Sequence, residues 1–276
     1  MKTYLPNESK ADRKSRKALE KQCLPTAEKT DLVQSYLEAY KNSKPKKYII
    51  CLKWGNKYSP EYVNKLYNMI KRNCTLDYEF ICFTDDRNGI DRMIRTEPLP
   101  ELGLHGWWYK IWFLSKELPI QGTALFFDLD LIVFKNIDNL FTYKPEKDFV
   151  IIRDFNRQMR PSWDRMNSSV FRVTIGKYNK HYEDFIAKKR EFTSRMQGDQ
   201  DYMFKVINNH EFWPDEWIQS YKWEMRGRSE LGIINGKRNF KSPGVPNILP
   251  QTSIAVFHGQ PNMHECIDPW CKENWN

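Results

Sequence analysis

Two aspartates, Asp128 and Asp130, stand inside an otherwise apolar run, TALFFDLDLIVF, from Thr123 to Phe134. An ionised carboxylate is costly to bury unless something pairs with it. In a strand, residues two apart share a face. The two carboxylates would then converge while Leu129 points away. Close carboxylates repel each other, and a proton or a cation relieves that repulsion. A hard divalent cation, Mg²⁺ or Mn²⁺, matches oxygen ligands of this kind. Such an ion would in turn hold the phosphates of a substrate. The plainer alternative is that one aspartate caps the next turn and the other pairs with a lysine.

The surrounding sequence supplies the elements that must position this pair. Residues Lys47–Leu52 (KYIICL) read as a buried strand. Helical spacing follows over Ser59–Asn73, with Ser59 suited to the cap, Pro60 to the first turn, and Val63, Leu66, Tyr67 and Ile70 on one face. Tyr78–Asp86 (YEFICFTDD) reads as the next strand. Together these make a β–α–β unit, which builds parallel sheets. Further along, Gly106–Leu118, Tyr178–Phe192 and Gly198–Asn208 read as helices. The run around Asp128, Asp148–Phe155, Ser168–Val173 and Ser253–Gly259 read as strands. Alternating strands and helices predict an α/β fold, a Rossmann-like, mainly parallel sheet flanked by helices. Ligands of such sheets bind at the carboxyl ends of the strands. The polar groups expected there are Asp85, Asp86, Asp128, Asp130 and His258.

Bulk properties narrow the classes. The 276 residues suit one large domain or two small ones, and 40% hydrophobic content allows a sizeable core. Ten Trp and fourteen Tyr offer stacking platforms as well as core packing. The net charge of +9 favours anionic partners. Much of it lies in residues 1–46, which read as a basic extension, partly helical around Asp31–Tyr40 and disordered near the start. That extension is expected to be a solvated linker, or to associate weakly with anionic membrane; nucleic acid is the less favoured partner. No run reaches the roughly 20 apolar residues of a membrane helix, and the N-terminus lacks an apolar signal-peptide core. The six cysteines form no zinc-type pairing, and Cys51 and Cys82 fall in apolar strands. The expected setting is reducing and cytoplasmic, peripheral at the inner membrane face at most.

Two chemistries place an Asp-x-Asp after an apolar strand. Aspartyl phosphate transfer, as in haloacid dehalogenase-like phosphatases, puts the motif on the first strand of its domain. Here a full β–α–β unit precedes it, and Ile132 stands where that family has a polar threonine. The other chemistry is glycosyl transfer from a nucleoside diphosphate sugar. From about Tyr48 to Trp270 the chain resembles the glycosyltransferase family 8 group of GT-A-fold enzymes, of the bacterial capsule and lipopolysaccharide type. The resemblance rests on FFDLDLIV, WYKIWFL (Trp108–Leu114), NSSVFRV (Asn167–Val173), GDQD (Gly198–Asp201) and VFHGQPNMHE (Val256–Glu265), in that order along the chain.

The resemblance implies a single catalytic domain over 47–276 and a role for each matched residue. Asp128, Asp130 and His258 would hold Mn²⁺ or Mg²⁺. Tyr58 would stack on the base of the donor. Lys110 would replace the family's arginine beside the donor, keeping its charge without the bidentate fork. The Asn167 amide would bond the donor sugar, with Ser168 and Ser169 small enough to let it approach. Asp199 would bind sugar hydroxyls and Gln200 would lie near the anomeric carbon. In the family's closing His-x-x-Gly-x-x-Lys motif the glycine is offset here to Gly259. Met263 or His264 falls at the lysine position, so His264 is the candidate for part of the phosphate contact.

The reaction so implied moves a hexose, expected from a UDP-sugar, to a glycan or other hydroxyl with retention. Arg153, Asp154 and Arg157 are weaker candidates facing the acceptor, as are Trp213, Trp217, Lys222, Trp223 and Arg226. Competing readings are a non-catalytic nucleotide-sugar or glycan-binding protein of the same fold, a phosphatase, and a charge-driven nucleic-acid binder.

Overall fold

The computed structural model describes residues 46–276 together with Lys14, Lys17, Ala18, Asp31, Gln34 and Ser35, which lie in helical backbone. The rest of the expected basic extension lies outside the described residues. The chain divides into two units, Met1–Lys46 and Lys47–Asn276. All elements named below belong to the second.

The strands are β1 (Lys47–Lys53), β2 (Glu79–Thr84), β3 (Arg95–Pro98), β4 (Thr123–Phe127), β5 (Leu131–Val133) and β6 (Phe149–Arg153). They continue with β7 (Met166–Thr174), β8 (Glu211–Phe212), β9 (Ile218–Ser220), β10 (Leu231–Ile234), β11 (Lys237–Phe240) and β12 (Ile254–Val256). A seven-stranded sheet has the order β3-β2-β1-β4-β7-β6-β8. Its first four strands are parallel, β7 runs antiparallel to both β4 and β6, and β8 is parallel to β6. A second sheet orders β5-β12-β9, and β10 and β11 form a hairpin. The expected α/β architecture with a mostly parallel sheet is what the chain adopts.

Both faces of the large sheet are covered, as parallel strands require. Alternate residues of β1 show how. Ile49 and Cys51 join the core beneath the Pro60–Asn73 helix, where Val63, Leu66 and Ile70 also pack. Tyr48 and Ile50 join the opposite core, with Trp112 and Phe113 from the Gly106–Leu114 segment and with Phe185 and Tyr202 from two later helices. Pro60 opens its helix as expected, although Ser59 makes no side-chain cap bond.

Three elements depart from the sequence reading. The run from Thr123 to Phe134 is not one strand. β4 ends at Phe127 and belongs to the large sheet, whereas β5 starts at Leu131 and belongs to the small one. Gly106–Leu114 is a 3₁₀ helix ending short of Leu118, buried continuously from Trp108 to Leu114. A segment apolar on nearly all sides is expected to be buried, as this one is. The Tyr178–Phe192 helix is two helices, Asn179–Ala187 and Lys189–Arg195, separated at Lys188.

Candidate active site

The joint between the two sheets is where the aspartates lie. The Asp128 amide donates to the Ser169 carbonyl (2.8 Å), extending the β4–β7 ladder by one step. Leu129 then turns into the core, and the Asp130 carbonyl accepts from the Phe257 amide (2.9 Å) just past β12. One short stretch thus ends a strand in one sheet and begins a strand in another. Its two polar side chains face the pocket at the seam, a cavity of about 400 Å³.

Lys110 is the single charge in its aromatic 3₁₀ helix, and it is 5% exposed. Its Nζ lies 2.7 Å from Asp128 Oδ1 and 2.8 Å from Oδ2. It also donates to the Ser168 carbonyl and hydroxyl at 3.2 and 3.3 Å. Burial works against its charge, but Asp128 and Asp199 outweigh that and hold Lys110 above the usual lysine range. Burial pushes Asp128 up to about 6, with Lys110 opposing and Asp130 adding to the rise. The two shifts pull the pair in opposite directions. The short contact to both oxygens favours the ion pair, and at neutral pH Asp128 remains ionised.

Asp130, 7% exposed, accepts on Oδ2 from the Tyr58 hydroxyl (3.0 Å) and the Gly259 amide (3.4 Å). Burial, then the charges of Asp130 and Asp128, raise Tyr58 far above the usual phenol range, so it stays a donor. His258 sits at φ 34°, in the left-handed region. Its Nε2 meets Ser220 Oγ at 2.6 Å. Its ring stacks on Phe155 at 5.3 Å and meets Trp223 edge-on at 4.7 Å. Burial lowers it to about 4, so the imidazole is neutral at physiological pH.

The β7 wall is shaped by a bulge. Ile151 pairs with Phe171 but Ile152 pairs with Asn167, so Ser168–Val170 are extra residues on the β7 side. The bulge brings Asn167, Ser168 and Ser169 to the pocket. Asn167 Oδ1 is spent on the Ser169 amide (3.0 Å). Asp199 opens the Asp199–Val206 helix and is 3% exposed. Its Oδ2 has no hydrogen-bond partner among the described residues. Burial raises its pKa, with the Lys110 charge opposing. Gln200 lines the pocket beside it.

Asp128, Asp130, His258, Tyr58, Lys110, Asn167, Asp199, Gln200 and Gly259 therefore share one pocket. His264 does not line it. Its Nδ1 is 2.5 Å from the Tyr62 hydroxyl, on the Pro60–Asn73 helix. The weaker acceptor candidates have structural partners. Arg153 and Arg157 pair with Asp215, Arg157 also with Glu224, and Asp154 caps a turn at Asn156. Arg226 pairs with Asp268 and Glu230. Trp213 is buried and Trp217 packs against the core. Lys222 is buried with its Nζ on the carbonyls of His258 (3.0 Å) and Gln260 (2.8 Å), and burial lowers it to about 8. It braces the turn that carries the Gly259 amide to Asp130.

Sequence reasoning passed over Trp54, Lys57, Gly106 and Trp107, which also line the pocket. The first two lie just past β1, where the strand-end rule points. Trp107 was hidden by its neighbour Trp108, since only one of the pair is in the core.

Two carboxylates and an imidazole suit a hard divalent cation in donor type. Among the described residues, however, no three His, Cys, Asp or Glu side chains stand close enough to share one ion. Asp128 and Asp130 fit an ion completed by substrate phosphates, the usual arrangement for Mg²⁺. Asp130 uses only Oδ2 in its hydrogen bonds. His258 Nε2 is held by Ser220.

No protein-family model matches the chain, and no curated protein sequence matches it. Solved structures do. The galactosyltransferase LgtC, in complex with donor and acceptor sugar analogues, matches with TM-score 0.57 and 12% identity, over 82% of this chain and 93% of that one. An active-site glutamine-to-glutamate variant of LgtC matches at 0.58 and 10%, over 82% and 93%. The chain has the GT-A fold. WbbM, a bifunctional glycosyltransferase in its apo form, matches at 0.50 and 11%, over 84% of this chain and 51% of that one. In this GT-A chain the pocket lies at the carboxyl ends of β1 and β4, the end at which open α/β sheets bind their ligands. No helix among the described residues is long and apolar enough to cross a membrane.

Proposed function

We propose that the protein is a glycosyltransferase that moves a hexose from a nucleoside diphosphate sugar, a UDP-sugar in our reading, to a hydroxyl acceptor with retention. The observation that carries this is the buried Asp199 oxygen without a partner, in the same pocket as Lys110 and the two seam aspartates. A buried acceptor left unmatched is expensive. A sugar hydroxyl is a donor of the right size and polarity to match it.

When bound, Mn²⁺ or Mg²⁺ at Asp128 and Asp130 would neutralise the diphosphate and ease its departure. The chain's own residues do the rest. Tyr58 offers its ring to the base while its hydroxyl orients Asp130. Lys57 and Lys110 add positive charge on the phosphate side, where it matters most as the leaving group develops. The Asn167 amide group, its oxygen already bonded, donates to the sugar. Asp199 fixes a sugar hydroxyl, and Gln200 lies beside the reacting carbon. Gln200 is a poor nucleophile, so the acceptor oxygen attacks from the front face and the departing phosphate takes its proton. The LgtC variant described as an active-site mutant, a glutamine made glutamate, supports a role for a glutamine in this fold. The basic residues 1–46 would hold the enzyme weakly at an anionic membrane.

Incubating the protein with Mn²⁺ and a panel of nucleotide sugars tests the reading. Turnover of one of them, reduced at least about 100-fold in Asp130→Asn, is the expected result. Sugar binding without turnover would favour a non-catalytic binder, and trapping of a glycosyl adduct on Asp199 or Gln200 would overturn front-face attack.

A further inference from the structure

Beside the donor pocket lies a second cavity of about 600 Å³. Trp54, Gly106 and Trp107 line both, so the two share one wall. That wall is unusual. Trp107 is 53% exposed and Trp54 37%. The adjacent Trp108 is in the core, stacked on Phe185 at 5.5 Å. Gly106, at φ 55°, opens the 3₁₀ helix, and successive residues of the helix point different ways, so Trp107 is exposed where Trp108 is buried. Exposed indole faces in a concavity are stacking platforms for the C–H face of a sugar ring.

The same cavity is also lined by two cations, Lys189 and Arg190. Lys189, Arg190 and Thr193 come from the Lys189–Arg195 helix, and His105 stands edge-on to Trp54 at 5.8 Å. No carboxylate among the described residues lines the cavity. Lys189 is tied to the Leu102 carbonyl, whereas Arg190 is exposed. An arginine that shares a cavity with aromatic surface, and has no acidic partner among the described residues, matches an anionic group on the ligand.

We propose that this cavity is an acceptor subsite for a sugar residue carrying a carboxylate or a phosphate, its ring against Trp54 and Trp107 and its acid on Arg190. The assignment rests on the transferase reading of the adjoining pocket. Its test is separable from that reading. Tryptophan fluorescence is followed while the full chain, with UDP present to fill the donor pocket, is titrated with methyl β-glucuronide, glucose 6-phosphate or methyl β-glucoside. The expected result is that one or both acidic sugars bind at least about 10-fold more tightly than the neutral one, and that Arg190→Glu and the cavity-filling Thr193→Trp each abolish the difference. Preference between glucuronide and phosphate identifies the acid. Equal affinity for all three sugars, no fluorescence change with any of them, or an advantage that survives both substitutions overturns the proposal. Donor hydrolysis without acceptor is measured on the same samples. Its absence in the unmodified chain sinks the transferase reading, while acid-dependent binding still supports the ligand chemistry of the cavity.

Discussion

Lys110 holds both oxygens of Asp128 from within a buried helix. Removing its ammonium leaves an uncompensated carboxylate among apolar residues, which typically costs about 3–5 kcal/mol when fully buried. The Asp128 side chain is about a quarter exposed, so Lys110→Met should cost about 2 kcal/mol in urea unfolding. Asp130→Asn behaves differently, because an amide oxygen still accepts from Tyr58 and Gly259. Its stability should change by less than about 1 kcal/mol while turnover collapses. A thermal shift and a turnover assay on both variants separate the structural aspartate pairing from the functional one. The types of these residues were readable from sequence: a lone lysine in an aromatic helix, and two aspartates in an apolar run. That one aspartate pairs with a lysine was among the sequence readings; which aspartate and which lysine was not. Lys110 and Asp128 are 18 positions apart, and the neighbour of a buried charge is decided by how two elements pack.

Elements show the same division. Continuous apolar runs and helical spacing made the opening β–α–β unit legible, and Pro60 marked its helix start. The seam at Asp128–Asp130 was illegible as a seam, because Leu129 keeps the hydropathy of the run unbroken while the chain changes sheets. Nor does a Gly or Pro mark the helix break at Lys188. Element junctions also hold a cation that was not singled out. Arg172 of β7 is buried and donates to the carbonyls of Leu140, Phe141, Tyr143, Lys144 and Lys147. It satisfies the end of the Asp138–Thr142 helix and the turn after it, work otherwise done by caps or water. Arg172→Leu strands these buried acceptors and should destabilise by roughly 3 kcal/mol in urea unfolding, with little loss of turnover in the protein that remains folded. The Arg226 guanidinium is wedged against Gly244, where an added Cβ would lie 2.4 Å from it. Gly244→Ala should therefore displace Arg226 from Asp268 and lower the melting temperature by several degrees.

For the molecule as a whole, acid stability carries a signature of the seam. His258 is neutral when folded, with its pKa lowered to about 4 from 6.5. Between those values the unfolded chain binds the extra proton, so this histidine's contribution to stability is full above 6.5 and is lost as pH falls towards 4. Asp128, raised to about 6, acts oppositely: between its ordinary value near 3.8 and 6 the folded chain holds the extra proton. Urea titrations of the unmodified chain and His258→Gln should show a smaller loss of stability from about pH 6.5 to 4.5 in the variant, by about 2 kcal/mol. An equal loss in both would show that His258 titrates normally.

The seam also dictates an order of events during synthesis. Among the described residues β5 pairs only with β12, more than 120 residues later, and the amide that steadies Asp130 comes from Gly259. A ribosome that has reached His210 has already made every strand of the large sheet except β8 and most of the pocket lining, but not the wall formed by His258 and Gly259. However early the large sheet assembles, that wall closes over the pocket only once β12 and the turn after it have docked beside β5.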